Sequence, residues 1–494
     1  MKMKIAATVV LFLLMLISSA SAGGNHLSQS NSQNAFSPGV FVSQDATNMG
    51  IIVGDGNTLN QKNEQDADAS GTMSAIFQDA SNFGIQVGNG NKLFQTNKAD
   101  ADIRNLFWGS ATAMLSQVLI EQTQANLGIQ VGDHNNLFQR NDADAEVENV
   151  AIANAFDSLD SQSELSTATA TAIATLRNVK ISQNQENFAV QVGDRNNLLQ
   201  NNDADAEVEN VAVANAGAFA SNDATQTPPT FSNVGGIAQD ASSDATASAA
   251  AGLSHVAIEQ NQANLGVQVG DRNSLSQSND ADAEVENVAV ANAGAFASND
   301  ADLTQTAYGF ARNIGGIAQG ASSDATANAR STLRRVEIVQ DQTNLGAQVG
   351  DRNSLFQSND ADAEVENAAV ANAGAIASTN DHVSAVDILD PKVDIESGFA
   401  TLNEIAIKQC QKNLAVQVGH NFAAQNNYAD GQVEQDLANT AANLHRISIE
   451  QTEVNAVVQV GSSAVFQNGG QIDHPNQSNT HIKRTQSNTL VEVN

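Results

Sequence analysis

Eight copies of one polar pattern run through this chain, and a pattern returning that often requires similar units packed against one another. The clearest copy reads Gln260-x-x-x-Asn264-x-x-x-Gln268-x-Gly270-x-x-Asn273-x-Leu275-x-Gln277-x-Asn279. The spacing recurs around Gly54, Gly88, Gly132, Gly193 and Gly350, and two looser copies around Gly419 and Gly461 are each one residue shorter after the glycine. Self-similarity of this kind marks a stacked architecture, in which a single unit cannot bury its own inner face. Successive repeat glycines lie 34, 44, 61, 77, 80, 69 and 42 residues apart. The spacing predicts one core unit that gains inserted strands toward the middle, with shorter units as caps.

The middle units share a second block. Residues 280–297 are nearly identical to 203–220 and similar to 360–377. Ala281, Ala283, Val285, Asn287, Ala289 and Ala291 fall on one face of a strand; Asp282, Glu284, Glu286, Val288 and Val290 fall on the other. Period two is the strand signal, and acids two apart would scatter around a helix. A third block, 235–249, returns at 315–329 and also alternates small residues. The long units therefore read as several short strands joined by tight turns.

Composition narrows the core. Aromatics are 4% of 494 residues, with one Trp and two Tyr, so Ala, Val, Asn and Gln must carry the packing. Small side chains suit thin stacked sheets. The 41% hydrophobic content and the regular alternation argue against disorder. The expected fold is all-β, an elongated β-solenoid of strand–turn–strand units with Gln and Asn ladders.

The repeat positions have a physical logic. Glycine supplies backbone conformations that cost other residues, and a neighbouring Asn or Asp tolerates left-handed geometry, so Val-Gly-Asp-Arg-Asn is a strand–turn–strand element. In a stack the same residue recurs above itself at roughly 4.8 Å. Each amide then donates to one neighbour and accepts from the other, which lets it lie inside. The expected ladder residues are Gln130, Gly132, Asn135 and Gln139; Gln191, Gly193, Asn196 and Gln200; Gln268, Gly270, Asn273 and Gln277; and Gln348, Gly350, Asn353 and Gln357.

The acids pose the opposite problem. Asp205, Glu207 and Glu209 recur as Asp282, Glu284 and Glu286, and again as Asp362, Glu364 and Glu366. Stacked in adjacent rungs, like charges cost on the order of 1 kcal/mol per contact in water before screening. Either the rungs are offset or cations sit between the carboxylates, and oxygen-rich sites suit Ca²⁺. The alternative is a solvated acidic face that keeps assemblies soluble. The spacing matches neither an EF-hand loop nor the Gly-Gly-x-Gly-x-Asp nonapeptide of calcium-binding β-rolls. No other cofactor is implied.

Lys2 and Lys4, the apolar run 5–17 and an Ala-Ser-Ala site read as a signal peptide over 1–22, and no later stretch is long and apolar enough to span a bilayer. An N-terminal segment over 23–40 precedes a repeat region over 41–468. A loop is expected at 381–397, which carries Pro391, and a polar tail at 469–494. The single cysteine, Cys410, excludes a disulfide framework; it either bridges two chains or is a small buried thiol. A net charge of −33 disfavours nucleic acid and anionic membranes as partners. Cations, basic surfaces, matrix components or further copies of the chain remain.

The core Gln268-x-Gly270-x-x-Asn273-x-Leu275 resembles the curlin repeat of bacterial functional amyloids, Gln-x-Gly-x-x-Asn-x-Ala. It recurs at Gln86, Gly88, Asn91 and Leu93, at Gln130, Gly132, Asn135 and Leu137, at Gln191, Gly193, Asn196 and Leu198, and at Gln348, Gly350, Asn353 and Leu355. The resemblance implies strand–loop–strand units stacking into extracellular cross-β fibres. The chain departs from it in the earlier next glutamine, Gln277, and in much longer units.

The expected function is a secreted structural protein that assembles into a surface fibril, sheath or matrix. The alternative is a calcium-stabilised acidic adhesin or stalk. Catalysis is disfavoured: His134, His255 and His420 fall outside any metal-ligand spacing, and the turn position of His134 holds Arg195, Arg272 and Arg352 in other copies. No serine elbow, phosphate loop or Cys-His dyad is present.

Overall fold

The computed structural model describes residues 26–37, 41–70, 73–109, 111–159, 165–226, 237–303, 317–381, 385–395, 398–438, 440–460, 464–473 and 480–493. The expected signal peptide and Gly461 lie outside these residues. Two parallel sheets face each other. The nine-stranded sheet contains, in spatial order, β1 (His26–Ser37), β3 (Thr58–Ala69), β5 (Lys92–Trp108), β7 (Asn136–Leu159), β9 (Asn197–Gln226), β11 (Ser274–Leu303), β13 (Ser354–Asp381), β16 (Phe422–Ala438) and β18 (Ala464–Asp473). The ten-stranded sheet runs β2 (Phe41–Val53), β4 (Ser74–Val87), β6 (Ala111–Val131), β8 (Leu165–Val192), β10 (Ile237–Val269), β12 (Ile317–Val349), β15 (Gly398–Val418), β17 (Thr440–Val460) and β19 (Thr480–Val493), with β14 (Ala385–Ile395) also paired to β12. The chain alternates between sheets, which makes one rung per repeat and a β-solenoid overall.

The pairing aligns like with like: Gln268 lies between Gln191 and Gln348, and Asn279 between Asn202 and Asn359. Strands lengthen from 12 residues in β1 to 33 in β10 and β12, then shorten to 10 in β18. The uneven repeat spacing is thus rung width. The long units are two continuous strands each, not several short ones. Where a corner is needed, one residue in left-handed geometry bends the strand: Gln117, Asn178, His255, Arg335, Glu404 and Arg446, at φ from 55° to 63°.

Among the described residues each crossing from the ten-stranded to the nine-stranded sheet is made by the repeat glycine. Gly270 has φ 133°, and its N–H donates to the Val349 carbonyl of the next rung at 2.8 Å. Arg272, at φ 62°, donates likewise to Asp351 at 2.9 Å. The turns are therefore hydrogen-bonded along the stack, as the strands are.

The core changes character across its width. Beside the turns it is a leucine column, Leu59, Leu93, Leu137, Leu198, Leu275 and Leu355. Further in, Ile, Val and Leu such as Ile181, Val256 and Ile258 face Ala206, Val208 and Val285. The far end of the wide rungs is mostly alanine, Ala172, Ala214, Ala249 and Ala291 among them, with buried serines such as Ser243 and Ser323, which suits closely spaced sheets.

Four expectations are corrected. The loop over 381–397 contains β14, whose Pro391 lies opposite Ser323; proline is tolerated because β14 pairs with β12 alone. The polar tail contains half of β18 and all of β19, the last described rung, which keeps Asn488 in register with Asn455. The segment 23–40 contains β1, the first rung, with Gln29 in register with Gln61. Cys410 is half-buried on the outer face, between Asp341 and Thr452, because its place in the alternation points outward. Among the described residues no helix is long and apolar enough to cross a membrane.

Candidate assembly surface

The glutamines of the expected columns are hydrogen-bonded from rung to rung. Gln191 donates to Gln130 at 2.7 Å, Gln268 to Gln191 at 2.8 Å and Gln348 to Gln268 at 2.9 Å. Across the turn, Gln200 donates to Gln139, Gln277 to Gln200 and Gln357 to Gln277, each at 2.8 Å. The second amide hydrogen goes to backbone, as from Gln268 to the Ser274 carbonyl at 2.8 Å. The turn asparagines work differently: the backbone N–H of Asn135, Asn196 and Asn273 donates to the side-chain oxygen of Asn196, Asn273 and Asn353 above, each at 2.8 Å. Gly132, Gly193, Gly270 and Gly350 all occupy the crossing. An unmade buried partner costs about 1–3 kcal/mol, so these columns also fix register.

Further columns were present in the repeat formula but not recognised there as ladders. Gln44, Gln78, Gln122, Gln183, Gln260, Gln340, Gln409 and Gln451 form an unbroken series, each donating to its predecessor at 2.9–3.0 Å. Asn48 donates to Asn82, Asn82 to Asn126, and so on through Asn264, Asn344 and Asn413 to Asn455 and Asn488. A facing asparagine column runs from Asn31 to Asn427 and joins it across the core, as where Asn264 donates to Asn279 at 2.8 Å. The buried glutamine columns donate toward the N-terminal rung and these asparagine columns toward the C-terminal rung. Their dipoles oppose one another.

Among the described residues β1 and β2 at one end, and β18 and β19 at the other, pair on one side only. Gln29 accepts from Gln61, while at the far end Gln467 donates to Gln425. Gln29 and Gln467 are thus opposite ends of one column, the first directing donors outward and the second its acceptor.

The carboxylates stack directly. Asp205, Asp282 and Asp362 are in register, as are Glu207, Glu284 and Glu364, and Glu209, Glu286 and Glu366, so the offset alternative is excluded. Partial burial, and then like charges on adjacent rungs, push Asp205 and Asp362 up to about 6 and Glu209 to about 7. Burial raises Asp282, and burial with neighbouring acids raises Glu207, Glu284 and Glu286. At the N-terminal margin Arg104 lies 3.0 Å from Asp102 and 2.8 Å from Glu146. The columns run along the sheet without converging; among the described residues no three His, Cys, Asp or Glu are grouped to hold a metal ion.

The exposed turns carry a ladder that the sequence did not disclose. The Asp133 side chain accepts from the Asp194 backbone N–H, Asp194 from Asp271, and Asp271 from Asp351, each at 2.8 Å. Beside it stand His134, Arg195, Arg272 and Arg352 in left-handed geometry, and Arg195 Nη1 lies 3.1 Å from His134 Nε2. No family model, curated protein or solved structure matches the chain.

Proposed function

We propose that the chain is a secreted structural protein whose copies stack end to end into an extracellular fibril, sheath or matrix, without enzymatic activity. The observation that carries this reading is the pair of open ends. Unpaired parallel edges template further strands. The Gln29 and Gln467 amides match donor to acceptor in one direction, so stacking is head to tail, and such a heterologous contact generates an open filament. The segment 1–22 supports export, and the outward acids support solubility before assembly.

The test is assembly of the secreted protein, imaged by electron microscopy and fibre diffraction with and without Ca²⁺. Filaments with a meridional spacing of roughly 4.7–4.8 Å are expected without added metal. Soluble monomers under both conditions overturn the reading. The acid columns favour one second reading, a calcium-stabilised adhesin or stalk, and assembly or rigidity strictly dependent on Ca²⁺ would select it.

A further inference from the structure

The left-handed corners of the ten-stranded sheet produce a second periodic feature. They set Asn178, His255, Arg335, Glu404 and Arg446 in one column, and Arg177, Ser254, Arg334 and Asn403 are in register beside it. The bend opens an outer groove of about 660 Å³ that crosses β8, β10, β12 and β15. Arg335 is held in place: its Nε is 3.1 Å from Glu404, its Nη1 is 2.7 Å from His255 Nε2, and Arg446 shares the same Glu404 at 2.9 Å. Arg177 and Arg334 are exposed, and among the described residues no carboxylate lies within ion-pair distance of either. The groove therefore concentrates guanidinium groups in a chain of net charge −33.

The complement lies on the other sheet. Its outer face carries the Asp205, Glu207 and Glu209 columns, and β9, β11 and β13 contain no lysine or arginine. Carboxylates recur on successive rungs at roughly 4.8 Å, whereas the unpaired guanidiniums recur on alternate rungs, Arg177 on β8 and Arg334 on β12 with Ser254 between them. Two stacks lying parallel can set both guanidiniums against carboxylate rungs of the same spacing, once per copy, which a randomly oriented pair cannot.

We propose that the groove lined by Arg177, Arg334 and Arg335 receives the carboxylate columns of a second copy, so that stacks associate side by side with opposite sheets in contact. The contact is heterologous and leaves each stack with one free groove and one free acidic face, so it propagates laterally. It deepens the assembly reading by naming the faces used. It rests on that reading for fibre length alone, since single chains can make the same contact.

The test is electron microscopy of the assembled protein at low and high salt, with Arg177→Glu/Arg334→Glu beside it. At about 10 mM salt, where screening reaches only beyond roughly 30 Å, side-by-side bundles are expected; at about 1 M they disperse. The double variant is expected to give single filaments at both salts with the axial spacing unchanged. Arg177→Gln/Arg334→Gln, a milder change, is expected to weaken bundling in the same direction, and Arg352→Glu, on the turn, to leave it intact. Bundles that survive in both double variants, or that tighten with salt, overturn the proposal. If no filament forms, sedimentation of the soluble chain decides separately. Low-salt self-association lost in the double variants supports the lateral contact while the end-to-end reading fails; association that is absent or unaffected overturns the lateral contact too.

Discussion

Gly270 sits directly over Gly193, so closely that a β-carbon on Gly270 would lie 2.1 Å from the Gly193 carbonyl oxygen. Its φ of 133° is a second barrier to any side chain. Gly266 is different. A β-carbon there would meet only side-chain ends, Leu275 at 2.8 Å and Gln200 Oε1 at 3.2 Å, and Ala189 and Ala415 occupy the same column in other rungs. Gly270→Ala is expected to cost at least about 3 kcal/mol, the upper range for backbone strain, and Gly266→Ala less than about 1.5 kcal/mol. Denaturant unfolding of the two variants checks the order, and equal losses would refute the crossing geometry.

Gln260 shows what an amide column requires. Its Nε2 donates to the Gln183 side chain and the Ala204 carbonyl at 3.0 Å and to the Asp282 carbonyl at 2.6 Å, while its Oε1 accepts from Gln340 at 2.9 Å. Gln260→Met leaves Gln183 and Gln340 each short of a partner, at about 1–3 kcal/mol apiece. Gln260→Glu turns the donor into a buried charge facing three acceptors, and a loss on the order of 3–5 kcal/mol is expected. Thermal unfolding at neutral and acidic pH checks this. The Glu variant is expected to gain more on acidification than the wild type or Gln260→Met, as its carboxyl protonates and regains a donor.

The legible parts of the fold are those with a strict period. Ala281, Ala283 and Val285 point inward and Asp282, Glu284 and Glu286 outward, as alternation dictates. The corners were missed because no glycine or proline marks them. Their trace is a slip in phase: Leu253-Ser-His-Val256, Leu176-Arg-Asn-Val179 and Leu333-Arg-Arg-Val336 each place two residues between inward positions. Polar contacts between rungs, as between Arg335 and Glu404, accompany that geometry, and such neighbours are far apart in sequence. The last rung was missed because β19 keeps Asn488 in the asparagine column but places Arg484 in the glutamine column. The charged groove depends on bringing Arg177 and Arg334 together across Ser254, which only the register supplies.

Divalent cations should act on the acidic face as screening charge. Because the carboxylates form parallel columns rather than a converging shell, Ca²⁺ and Mg²⁺ are expected to raise the unfolding midpoint to a similar extent. Calorimetric titration is expected to show weak uptake without fixed stoichiometry. A saturable Ca²⁺ isotherm that Mg²⁺ does not reproduce would restore a specific site among Asp205, Asp282 and Asp362.

Acidification is expected to strengthen the fold. Asp205, Asp280 and Asp362 rise from 3.8 to about 6, and Glu209 from 4.5 to about 7, first through burial and then through acids on neighbouring rungs. A carboxyl whose folded pKa is raised binds more protons folded than unfolded, so stability falls as pH rises through the window from the unfolded to the folded value. Here that window runs from about 4 to about 7. The unfolding midpoint is therefore expected to climb as pH drops from about 7.5 to about 5, and stacking to quicken, because protonation removes the repulsion between rungs. Glu209→Gln/Glu286→Gln is expected to raise the midpoint at neutral pH and flatten the climb. A midpoint that falls on acidification, in the wild type as in the variant, would mean that the stacked carboxylates are solvated well enough for the rungs to ignore one another.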